Sequence, residues 1–133
     1  MLQHIGAVAL LVRDYDEALA WYTARLGFVV SADTPLGMGK RWVTIAPPGG
    51  QTPLLLAQAS TPEQVTQIGC QGGGRVFLFL YTDDFWRDHA AYVAAGVTFL
   101  EEPRHEAYGL VAVFTDLYGN KWDLLQPSVG PAI

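Results

Sequence analysis

The sequence is poor in cysteine, in basic residues and in long hydrophobic runs, and each shortage excludes something. A single cysteine, Cys70, cannot close an internal disulfide, so a disulfide-stapled scaffold is excluded and a reducing compartment, the cytoplasm, is expected. Eight Lys and Arg stand against thirteen Asp and Glu, for a net charge of -5. Basic residues this few and this scattered cannot track a phosphate backbone, and no nucleic-acid partner is expected. The longest apolar runs, AVALLV at 7–12 and VFLFLY at 76–81, fall far short of the roughly 20 residues of a membrane-spanning helix. The first residues, MLQHIGAV, lack the basic stretch and apolar run of a secretory leader. No membrane partner is expected. Three histidines, His4, His89 and His105, lie far apart with no metal-ligand spacing among them.

Apolar side chains are abundant: half of the 133 residues are hydrophobic, enough for the core of one domain or of two small fused modules. IGAVALLVR at 5–13 is too short for an ordinary helix and too continuous for a half-wet strand, and reads as a buried strand. A helix follows. Asp14 is a good N-cap with Glu17 three residues on, Leu19, Tyr22 and Leu26 recur at helical spacing, and Gly27 supplies the stop. Strands are expected at FVVSAD, KRWVTIA and TPLLLAQ, the last two separated by the turn residues PPGGQ. From 59 to 74 apolar periodicity is lost and glycines accumulate, which reads as a flexible connection. The order then restarts: RVFLFLYT as a buried strand, DDFWRDHAAYVAAG as a helix closed by Gly96, VTFLEEP as a strand, and GLVAVFTD with NKWDLLQ as a hairpin through LYGN.

The two halves share one plan, which divides the chain into a module at 1–58, a linker at 59–74 and a second module at 75–133. Gly27 and Gly96 lie 69 residues apart, and the same offset places Asp14 on Asp83 and Leu10 on Phe79. The expected fold is α+β, two βαβββ modules whose curved mixed sheets enclose a cavity. Each module leaves one apolar sheet face, so modules must pair within a chain or between chains, and a symmetric homodimer is expected.

VRDYDEALAWYTARLGF, together with GVTFLEEP and VAVFTDLYGNKWDLLQP, resembles the vicinal oxygen chelate superfamily: glyoxalase I, fosfomycin-resistance enzymes, extradiol dioxygenases, methylmalonyl-CoA epimerase and the metal-free bleomycin-resistance proteins. The likeness covers nearly the whole chain and implies the fold more strongly than a reaction. It implies divalent-metal positions on four strands. On the first strand the position falls on Ala7, with His4 three residues too early; on the fifth it falls on Arg75 or Val76. The fourth strand offers only Gln58, and the eighth offers Asp123. Catalytic metal sites ordinarily need three protein ligands, and a guanidinium about 4 Å from a dication costs about 8 kcal/mol at an effective dielectric near 20. No metal and no other cofactor is therefore expected. An Arg75–Asp123 ion pair is expected in the metal's place, as a ligand contact or as a structural pair.

Arg104, Glu106 and Tyr108 fall at alternate positions and share one side if that stretch is extended. An arginine fork suits a carboxylate or phosphate, and Glu106 with Tyr108 and Asp123 are candidate acid-base groups. A loop stapled by Arg104 is the plainer alternative. Trp42 and Trp122 are candidate stacking walls for a planar ligand, against core packing as the commoner fate. His89 falls on a helix flank. GCQGGGR lacks the Lys and Ser or Thr of a phosphate-binding loop, and no histidine is spaced to activate Cys70. The expected function is metal-independent binding of a small molecule, aromatic or anionic, as in the bleomycin-resistance branch. The alternative is a glyoxalase-like lyase, isomerase or dioxygenase with a displaced metal on Asp123, Gln58 and Glu106, aided by His4 or His105.

Overall fold

The computed structural model describes residues 1–128. They form β1 (Val8–Val12), α1 (Tyr15–Leu26), β2 (Val29–Gly37), β3 (Lys40–Ala46), β4 (Leu54–Gln58), α2 (Pro62–Gln67), β5 (Val76–Tyr81), α3 (Phe85–Ala94), β6 (Thr98–Phe99), β7 (Arg104–Glu106), β8 (Gly109–Thr115) and β9 (Lys121–Pro127). The chain separates into two compact units, Met1–Ile68 and Gly69–Ile133.

In the first unit the sheet order is β1-β4-β3-β2, with β1 parallel to β4 and the other pairs antiparallel. One face carries Leu10, Val12, Val43, Ile45 and Leu56, all buried, and α1 contributes Ala18, Tyr22 and Leu26 to the same core. Each of the valine, leucine and isoleucine side chains contributes about 1.5–3 kcal/mol by leaving water. The helix begins where the Asp14 carboxylate accepts the Glu17 N–H at 2.8 Å. It ends at Gly27, whose φ of 70° is left-handed, a conformation that costs glycine nothing.

The second unit repeats the plan in the order β5-β9-β8-β6, with β7 also paired to β8 and β5 parallel to β9. Helix α3 starts at Asp84, which accepts the Arg87 N–H at 3.1 Å, and buries Phe85 and Tyr92. Tyr92 meets Phe114 edge-on, and Phe114 stacks on Trp122. The repeat includes its polar fastenings. Gln58 Oε1 accepts the Tyr15 N–H at 3.3 Å, and Gln126 Oε1 accepts the Phe85 N–H at 2.8 Å. In each unit the strand paired in parallel with the first strand thus satisfies the first orphan amide of the helix.

The N-cap of α3 is Asp84 and not Asp83, so the helix starts lie 70 residues apart while the glycine stops lie 69 apart. The difference decides a face. At 70, Leu10 corresponds to Leu80, and Phe79 corresponds to Ala9. A one-residue slip moves every strand side chain to the opposite side of a sheet, and Phe79 is indeed 59% exposed where Leu10 is fully buried.

VTFLEEP yields only the two-residue β6, and the extended stretch resumes as β7. The connection at 59–74 is built rather than loose. Thr61 Oγ1 accepts the Gln64 N–H at 3.2 Å, Pro62 opens α2, and Gln64 Oε1 accepts the Ser60 N–H at 2.8 Å. The arrangement is a variant of the capping box in which Gln64 reaches the residue before the Thr61 N-cap; its T-x-x-Q was readable, although α2 buries no side chain and so carries no apolar stripe. Beyond it Gly73 N–H meets the Cys70 carbonyl and Arg75 N–H the Gly72 carbonyl. Gly69 packs so closely that a Cβ there would stand 1.9 Å from the Tyr118 carbonyl oxygen.

The turn between β8 and β9 is tied by one carboxylate. Buried Asp116 accepts the Tyr118 and Asn120 amides through Oδ1 and the Asn120 side-chain amide through Oδ2, each at 3.0 Å, and Trp122 Nε1 reaches Oδ2 at 3.4 Å. The D-x-x-G-N pattern is therefore a folding device: it sets where β9 begins and hence which way Asp123 points.

Candidate functional site

On β9, Trp122, Leu124 and Gln126 face α3, as the Phe114 stacking and the Phe85 cap show. Alternation sends Asp123 and Leu125 to the opposite face. Register fills that face in rows. Phe79, Asp123 and Val113 are neighbours across β5, β9 and β8, and Tyr81, Leu125, Val111 and Arg104 form the next row out to β7. Phe79 and Tyr81 are 59% and 48% exposed, yet Asp123 between these strands is only 7% exposed. Next to this row Gly109 separates Glu106 from Pro127. A Cβ at Gly109 would meet the Gln126 carbonyl oxygen at 2.1 Å, and its φ is 151°.

Asp123 Oδ1 is buried without a hydrogen-bond partner. Burial pushes this carboxyl above its ordinary pKa, the Arg104 charge pulls it back and the Glu101 charge adds to the rise. The Arg104 guanidinium is itself engaged: Nε donates to Glu101 Oε2 at 2.9 Å and NH1 donates to Glu106. These bonds raise its pKa further. Glu101 also accepts the Val113 N–H at 3.2 Å, fixing the cluster to the sheet.

The expected Arg75–Asp123 pair does not form. Arg75 is exposed and precedes β5, and no ion pair among the described residues joins it to Asp123. Asp123 sits level with Phe79, four residues further along a strand that rises about 3.3 Å per residue. Arg104 supplies the nearby positive charge instead. Trp122 is 3% exposed and bonded to Asp116 on the helix face, so it packs the core and lines no open face. Gln58 caps α1. Arg104, Glu106 and Tyr108 do come together, the first two joined by an ion pair.

Trp42 fares differently. It is 46% exposed and lines a groove of about 460 Å³ in the first unit, with Leu11, Leu36, Met38, Leu55 and Ala57. Phe79, Tyr81 and Glu101 were not singled out from sequence. The signal for the first two was present, because VFLFLY alternates aromatic with aliphatic side chains, the mark of two unlike faces.

The donors do not suit a divalent metal. The Gln58 acceptor is occupied by the helix cap, Ala7 and Arg75 offer no ligand, and His4 and His105 are exposed. Among the described residues no three His, Cys, Asp or Glu side chains gather to hold an ion.

Residues 4–124 match the family model of the Glyoxalase/Bleomycin resistance protein/Dioxygenase superfamily. The chain belongs to this superfamily. An uncharacterized protein of Shewanella frigidimarina (strain NCIMB 400) is 54% identical over 128 residues, covering 95% of both chains. TnmS3, an antibiotic binding protein from Streptomyces sp. CB03234, superposes with a TM-score of 0.79 at 32% identity, covering 96% of this chain and 98% of its own. A superfamily member from Sphaerobacter thermophilus DSM 20745 superposes with a TM-score of 0.80 at 28% identity, covering 94% and 98%. Two mixed sheets of four and five strands with few helices are the glyoxalase/bleomycin-resistance-like fold. No helix among the described residues is long and apolar enough to cross a membrane.

Proposed function

We propose that this superfamily member is a metal-independent binding protein for a small molecule with a flat apolar body. The observation that carries the reading is the open face of the second sheet: two exposed aromatics, Phe79 and Tyr81, beside a buried carboxylate with an unpartnered oxygen. Binding sites combine apolar walls with a few placed polar groups, and a group whose ionisation is disfavoured by burial is a mark of such places. The likeness to an antibiotic binding protein at 32% identity supports the same class. In this reading Arg104, Glu106 and Tyr108 are ligand contacts at the edge of the face, and Trp42 serves the groove of the first unit. We place the protein in the cytoplasm, consistent with its lone cysteine. We also take it to be a homodimer, since Val29, Leu36 and Met38 leave large apolar side chains exposed; its sedimentation mass reads this.

The test is thermal melting in excess EDTA with acridine, 9-aminoacridine and acridine-9-carboxylate, after metal analysis of protein purified without chelator. A ligand at ten times its Kd adds about 1.4 kcal/mol, which raises Tm by roughly 3–6 °C. Stabilisation by at least one probe in a metal-free sample is the expected result. Stoichiometric Zn, Ni, Mn or Fe, with no stabilisation once it is removed, would instead support a lyase, isomerase or dioxygenase with a displaced metal site.

A further inference from the structure

We infer that the ligand of the second sheet's open face carries a cationic N–H donor, a protonated nitrogen conjugated with or attached to its flat aromatic body, and that Asp123 Oδ1 accepts from it. The inference rests on the small-molecule reading above and names the chemistry of that ligand. Three observations converge on it.

The first is the orphan oxygen. Asp123 is 7% exposed and its Oδ1 has no partner. A buried carboxylate in that condition is destabilising until a donor reaches it, and a cationic donor satisfies charge and hydrogen bond together.

The second is the balance of charge. The charges that act on Asp123 are those of Arg104 and Glu101. Arg104 already bonds Glu101 and Glu106, so its one positive charge is held by two other carboxylates before it acts on Asp123. Lys121, two residues before Asp123 at the start of β9, has its ammonium 3.0 Å from the Gly74 carbonyl. An anionic ligand on this face would meet an engaged arginine and an unpaired carboxylate, which argues against the anionic class expected from the arginines alone.

The third is the lining. Phe79 is level with Asp123 and Tyr81 with Leu125, the next residue on the same face. Aromatic faces attract cations as well as flat apolar surfaces, so one ligand built from both parts suits both rows.

The experiment is fluorescence titration at pH 7.5 of the wild-type protein and of Asp123→Asn with the cation 9-aminoacridine, neutral acridine and anionic acridine-9-carboxylate. The wild type is expected to bind the cation at least about 10-fold tighter than acridine, and the anion more weakly than either. Asp123→Asn is expected to abolish the preference for the cation. Acridine and 9-aminoacridine binding alike to the wild type, or a preference that survives in Asp123→Asn, would overturn the inference and leave the small-molecule reading standing. Failure of all three to bind the wild type would overturn both.

Discussion

Replacing Asp116 by alanine should cost about 3–4 kcal/mol, the largest loss expected of any single polar substitution in the second unit. Its carboxylate serves two backbone amides and the Asn120 side chain within a buried turn, and each buried donor left unpaired costs about 1–3 kcal/mol. The three penalties do not add in full, because the opened turn admits water. Asp116→Asn retains one acceptor oxygen and should lose about half as much. Urea unfolding reads both. An Asp116→Ala protein within 1 kcal/mol of the parent would mean that strand pairing alone fixes the β8–β9 turn.

Asp123 should behave in the opposite sense. Burial raises its folded pKa above the unfolded value, so the native state is penalised when the group ionises. The penalty is complete above the folded pKa, fades as pH falls through it, and vanishes below the unfolded value near 4. Asp123→Asn is therefore expected to stabilise the protein at pH 7, with the gain shrinking as pH falls through the folded pKa. Melting across that range checks it. A loss of stability at pH 7 would show that the ionised carboxylate has a partner in solution. Two aspartates seven residues apart on one hairpin thus carry opposite signs: Asp116 holds the fold together, and Asp123 weakens it where a ligand would be held.

Helices α1 and α3 were legible because their signals are local, whereas α2, which buries no side chain, was read as part of a flexible connection. Asp14, Glu17 and Gly27 mark α1 without reference to anything distant. The turn signature was legible for the same reason, since Tyr118, Asn120 and Trp122, which Asp116 ties together, lie within six residues of it. Pairings across the sheet were harder. Whether Arg75 meets Asp123 depends on the register of β5 against β9, which contains an irregularity between Val76 and Leu78 that no local residue pattern declares. Matching the halves by their glycine stops hid the offset of 70 at the helix starts, and with it the exposure of Phe79. Gln58 was read as a ligand donor, and Trp122 as a stacking wall or, more commonly, as core packing; the choice was open for a related reason. Both are polar-tipped side chains near a strand end, and only the packed helix shows that one caps α1 and the other meets Asp116. Arg104, Glu106 and Tyr108 were placed on one side by alternation, and β7 brings them together.

The most direct measurement is the affinity of 9-aminoacridine for a Phe79→Ala, Tyr81→Ala double variant relative to the wild type. Both side chains are about half exposed, so their truncation should leave the melting temperature of the free protein within about 2 °C. The account predicts that affinity falls at least about 10-fold, as loss of aromatic contact area at a binding face requires. An unchanged affinity in a folded double variant would contradict it, and would move the binding site away from the open face of the second sheet.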